Sequence, residues 1–174
     1  MRFVVTGEWT RNRLLSVIVW CFLVYTLILW LTNFGLYFAK MNLTPSSVIE
    51  YYRGNEAKFL PARSLQGLME NLHFHSFAMG ILLVTLTHLV LFVPISLRAK
   101  GWGIATAFFS GLGGELSGWA VRFVHPDFAY VKIACFILLQ GSILCLMVLV
   151  ARALFVTAPS AYSQSGAPPI RPVT

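Results

Sequence analysis

Residues Glu70 to Arg98, ENLHFHSFAMGILLVTLTHLVLFVPISLR, combine two properties that rarely coexist. The run is apolar enough to cross a bilayer, yet it carries His73, His75 and His88, three of the four histidines in the chain. A hydrocarbon core of about 30 Å needs about 20 apolar residues at about 1.5 Å each. Lipid offers no partner to backbone N–H and C=O groups, so such a run has to be helical. Ionisable side chains inside it are costly and by default point to function.

The remainder of the chain is of the same kind. Of its 174 residues 57% are hydrophobic and 11% charged, against about a quarter charged in soluble domains. Four apolar runs, about 14–39, 72–97, 102–124 and 128–155, are each long enough to span. The expected fold is all-α: an integral membrane four-helix up-down bundle over residues 1–157, with a short helical extracytoplasmic loop and a disordered tail at 158–174 rich in Pro, Ser and Gly. The first run is too long for a signal peptide and reads as a retained span. The net charge of +7 does not indicate nucleic acid, because in a membrane protein the position of charge matters more than its sum.

Position of charge gives the orientation. Arg2, Arg11, Arg13, Arg98, Lys100, Arg152 and Arg171 fall on one side in short segments, opposed only by Glu8. That side is expected to be cytoplasmic, with both termini on it. The loop at 40–71 then lies outside. Within it Thr44-Pro45 starts a short helix ending near Gly54, and Ser64 offers a second helix start. The link Arg98 to Gly101 reads as a tight turn between helices two and three. Cys21, Cys135 and Cys145 lie in apolar runs, and no CxxCH occurs, so neither a disulfide framework nor covalent haem attachment is indicated.

Depth and phase single out haem b as a candidate cofactor. His73 and His88 are 15 residues apart, which on a helix is about 60° in phase and about 22 Å in height. They suit ligation of two haem irons, one near each leaflet; His75 and His88 fit less well, at about 140°. His125 can meet His73 or His75 from the next loop, and Met147 lies at the depth of His88, giving a His/Met pair. The plainer alternatives are wetted or hydrogen-bonded histidines, or ligation of chlorophyll by His88.

The segment GLGGELSGW, Gly111 to Trp119, carries a glycine stripe suited to close helix packing. It also carries Glu115, the one acidic residue clearly inside a span. Glu115 is the expected catalytic group, a proton acceptor for quinol; the other reading is a contact to a haem propionate through Arg122, on the same face about 10 Å away. Quinone is therefore the second candidate cofactor. The outer cluster of His73, His75, Glu115, Arg122 and His125 is the expected site, and a proton or ion pathway through Glu115 is a weaker alternative.

The combination TPSSVIEYYRGNE, Thr44 to Glu56, followed by HFHSFAMGILLVTLTHLVLF, His73 to Phe92, resembles small four-span bacterial membrane proteins, some of them associated with respiratory and c-type cytochrome systems. The histidine spacing on helix two is similar to that of dihaem cytochromes b, although those use two such helices. The resemblance implies c-type cytochromes or other membrane subunits as partners, within a hetero- or homo-oligomer embedded in membrane lipid. The expected function is electron transfer between quinone and a partner redox protein. The alternative is a non-catalytic accessory subunit of a larger respiratory or photosynthetic complex.

Overall fold

The computed structural model describes residues 12–156. These form five helices: α1 (Arg13–Lys40), α2 (Pro45–Arg53), α3 (Leu65–Val90), α4 (Leu97–Phe123) and α5 (Phe128–Val156), with one 3-10 turn at Glu56–Lys58. Among the described residues no strand forms beyond an isolated bridge between Asn55 and Leu60. The tail at 158–174 lies outside the described residues.

Local chemistry sets the helix ends. The side chain of Asn12 accepts from the Leu14 amide at 3.0 Å, Ser64 Oγ from Gly67 at 3.1 Å and Ser96 Oγ from Ala99 at 3.3 Å, each satisfying a donor left open at a helix start. Pro45 opens α2, where its missing N–H costs nothing. Gly54 closes it with φ +80°, and a Cβ there would stand 2.6 Å from the Leu60 carbonyl oxygen.

Helix α3 ends at Val90 and α4 begins at Leu97, which corrects the expected boundaries of 97 and 102. Pro94 is the physical reason. It lacks an N–H and disfavours helical geometry in the residue before it, and Ser96 then restarts the helix. The link is therefore 91–96, and Arg98 to Gly101 form the first turn of α4 instead of a loop.

Helices α1, α3 and α5 are long and apolar enough to cross a membrane. Helix α4 is less apolar because it is built from small and polar residues. Its buried face is Ala107, Ser110, Gly114, Ser117, Gly118 and Val121, and it packs against α5 more extensively than any other pair of helices. Gly111 faces Leu83 and Leu139, Gly114 faces Cys135 and Gly118 faces Tyr52, so the glycine stripe serves close packing. Contacts between Trp30 and Gln140, and between Tyr37 and Phe136, run α1 antiparallel to α5. Contacts of Glu115 with His75 and of Gly111 with Leu83 run α4 antiparallel to α3.

The buried residues form two clusters. One, around Leu23, Leu86, Ile143 and Val150, ties the four long helices together toward the α3–α4 link. The other, around Tyr37, Val48, Tyr52, Val121 and Phe136, lies under α2 at the opposite end.

Candidate functional site

Between the two clusters lies a cavity of about 390 Å³, reached by side chains of all five helices. Its polar wall is built where α3, α4 and α5 meet. Asn71 and His75 are one helical turn apart on α3 and so share a face. Both turn to Glu115 of α4. Asn71 Nδ2 donates to Glu115 Oε2 at 3.1 Å, and His75 Nδ1 lies 3.2 Å from Oε1. The Glu115 side chain is 19% exposed and that of His75 44%, so the carboxyl is largely shielded while the imidazole reaches the cavity.

The facing cation is Lys132, in the second turn of α5. Its Nζ donates to the Gly114 carbonyl at 2.7 Å, an oxygen that also accepts from Ser117 Oγ at 2.9 Å. Lys132 and Glu115 act on each other electrostatically without forming a direct ion pair. The pair leaves the polar wall close to neutral overall.

Helix α2 forms the roof. Tyr52 is buried against Gly118, where an added Cβ would meet its hydroxyl at 2.6 Å, and its ring lies 5.9 Å from Lys132 Nζ. Burial, followed by the charge of Glu115, pushes the Tyr52 phenol well above the usual tyrosine range. The Arg63 guanidinium sits 4.1 Å over the Tyr51 ring, and Arg122 Nε donates to the Arg63 carbonyl at 3.1 Å. At the outer edge a hydrogen bond from Lys58 to Glu50 holds that carboxyl below its ordinary range.

Of the residues expected to form the site, the structure joins His75 and Glu115. Arg122 is placed on the roof strap instead of beside the carboxylate. His73 is exposed on the other side of α3, next to Phe74 and at the edge of a shallow groove with Trp119; residues two apart on a helix point to different sides. His125 is exposed in the α4–α5 link, with Nδ1 3.4 Å from Asp127 Oδ2. His88 is half-buried with its ring edge against Phe92. Met147 is buried in the apolar cluster with Leu86 and Val150.

A six-coordinate haem needs two axial ligands converging from facing elements. The nearest ring to His73 is Phe74 and to His88 is Phe92, while His75, His125 and Met147 are each engaged elsewhere. Among the described residues none of these five side chains makes a hydrogen bond or ring contact with another of them. Among the described residues no group of three or more His, Cys, Asp or Glu side chains converges as a metal site.

Asn71, Lys132, Tyr37 and Tyr52 were not among the expected site residues. Lys132 had a detectable signal, since it stands five residues into an apolar run and belongs inside a span rather than in a loop. Asn71 stands four residues before His75, the spacing of a shared face. Tyr37 and Tyr52 carry no such signal.

Three bilayer-length apolar helices around an internal polar site define an integral membrane protein. The family model for a transmembrane helical domain, Aq_1264_TM, matches residues 42–161, and the chain belongs to that family. No curated protein and no solved structure matches it.

Proposed function

We propose that the chain is a quinone-linked electron-transfer subunit of a bacterial inner membrane, passing electrons between quinone and a partner redox protein such as a c-type cytochrome. The observation that carries this reading is the Asn71–Glu115–His75 relay on the wall of a cavity within the helical bundle. Oxidation of a quinol releases two electrons and two protons. In this reading the Glu115–His75 pair accepts the two ring-hydroxyl protons one at a time, handing the first to water before it takes the second, as a general base must, and Asn71 holds the carboxylate in position. The electrons leave to the partner protein.

In this reading α4 crosses as the fourth span and completes an up-down four-helix bundle. Its lower apolarity is tolerated because neighbours cover its polar face. Arg13, Arg98, Lys100 and Arg152 lie at one end in short segments, whereas Lys40, Arg53, Lys58, Arg63, Arg122 and Lys132 at the α2 end are offset by Glu50, Glu56, Glu70 and Asp127; because the rule applies best to short segments, the first end is read as cytoplasmic and α2 as an outer roof. The test is electron transfer from decylubiquinol to cytochrome c in native membranes. Glu115→Gln is expected to lower kcat about a hundredfold, within the usual range for loss of a general base, with KM little changed. Equal rates for the two proteins would overturn the reading.

A second reading, an accessory subunit without its own chemistry, is favoured by α1. Only Val19, Leu23, Thr26 and Tyr37 are buried among its residues, which leaves a long apolar face for lipid or a partner's helices. Migration of the native protein as a free small species on a blue-native gel would count against it.

A further inference from the structure

The cavity wall contains a residue whose buried donor has no hydrogen-bond partner among the described residues. Tyr37 is 7% exposed and its ring is stacked on Phe136 with centroids 3.7 Å apart. Its hydroxyl is buried and has no hydrogen-bond partner among the described residues, and Tyr37 is one of the residues that line the cavity. An orphaned buried hydroxyl is costly, so its place on a cavity wall indicates that something in the cavity completes it. Lys132 borders the same space and uses one of its three N–H donors on Gly114. His75 lines the same cavity and has Nδ1 engaged by Glu115, which leaves Nε2 for a ligand.

The demand is therefore for oxygen acceptors at two ends. One meets a phenol and an ammonium. The other meets an imidazole nitrogen that can donate or accept, as suits an oxygen alternating between carbonyl and hydroxyl. With Glu115 in the same wall as Lys132, the cavity favours a neutral acceptor over a phosphate or a fatty-acid carboxylate. Below this level the walls become apolar, with Met79, Leu83 and Leu139. Helix α1 packs on α5 and is not closely packed on α3, which makes the α1–α3 seam the place where a long apolar tail could leave toward lipid. Gly80 lines the cavity, with no atom within 4 Å of the place a Cβ would take.

Building on the quinone reading, we infer that the cavity binds the ring of a para-quinone endwise, one oxygen on Tyr37 Oη and Lys132 Nζ and the other on His75 Nε2, with the isoprenoid tail leaving between α1 and α3 past Gly80. Tyr37 is a binding residue in this arrangement, and Gly80 sets the width of the portal.

The experiment is equilibrium binding of ubiquinone-1 and decylubiquinone to the full chain in nanodiscs, with circular dichroism of each variant as a fold control. Tyr37→Phe keeps the stacked ring and loses only the hydroxyl; it is expected to weaken both quinones roughly fivefold to tenfold, as for one buried hydrogen bond. Gly80→Phe is expected to weaken decylubiquinone by a similar factor while ubiquinone-1 stays within about twofold. Infrared spectra of carbonyl-labelled ubiquinone-1 read the same contacts without relying on affinity: two C=O bands are expected in wild type, and Tyr37→Phe should move one. Quinone binding that is unchanged in Tyr37→Phe, with both bands unmoved, overturns this arrangement and leaves the quinone function standing. Failure of the wild-type chain to bind either quinone overturns both. Displacement of quinone by oleate or by phosphatidylglycerol would show that the cavity selects an anion, and would also overturn the arrangement.

Discussion

Glu115 carries its carboxylate inside the bundle at a cost that three neighbours offset: an amide from Asn71, an imidazole from His75, and the field of Lys132. Removing one member leaves the others buried and under-satisfied, so their effects should not add. The double-mutant cycle of Glu115→Gln and Lys132→Met, read by reversible unfolding in mixed micelles, is expected to show a coupling of about 1–3 kcal/mol. Additive effects would mean that the two charges do not feel each other. Glu115 and His75 were legible as candidates because an ionisable group in an apolar run stands out at once. Their union was not, because nothing along the chain specifies which helix faces turn toward each other. Lys132 is ambiguous along the chain for a simpler reason: near a helix end it reads equally as a flanking charge.

Helix α4 shows how an element can belong to a membrane bundle without being strongly apolar. Its glycines and serines allow α5 and α3 to approach, and its polar backbone is satisfied within the helix. Gly118 has the tightest requirement, because an added methyl would meet the Tyr52 side chain at 2.6, 2.7 and 2.9 Å. Tyr52 is itself buried and cannot swing aside freely. Gly118→Ala is expected to destabilise by about 1–3 kcal/mol through overpacking and to speed amide exchange in α2, whereas Gly101→Ala, in open space, should do neither. Exchange in α2 that is the same in both variants would remove Tyr52 as the clamp of the roof. The boundary between α3 and α4 was readable from Pro94 and Ser96, and reading the apolar run straight through that proline displaced both helices by several residues.

The molecule as a whole is asymmetric. Four helices share one apolar cluster at the end with the α3–α4 link, and at the other end the roof covers a cavity. Helix α1 is held mainly by α5, so the bundle is open on one side. Four crossings with an outer roof can be checked with single cysteines, introduced at Ser46 and at Lys100 in a chain lacking its native three. A membrane-impermeant maleimide applied to spheroplasts is expected to label position 46 and to leave position 100 unlabelled until the cells are lysed. The reverse pattern would invert the orientation, labelling of both would remove α3 as a span, and failure of a third cysteine, at Asp127 beyond α4, to label in spheroplasts would remove α4.

Helical secondary structure, a bilayer environment and the existence of a roof helix were all readable in the chain, because each depends on properties summed over neighbouring residues: apolar length, capping side chains, proline and glycine. The site was decided elsewhere. Whether His73 or His75 faces inward, and whether Glu115 meets Arg122 or Lys132, depends on helix rotation and relative depth. Those are set by which small residues let which helices touch, an interaction between segments distant in sequence that no local pattern records.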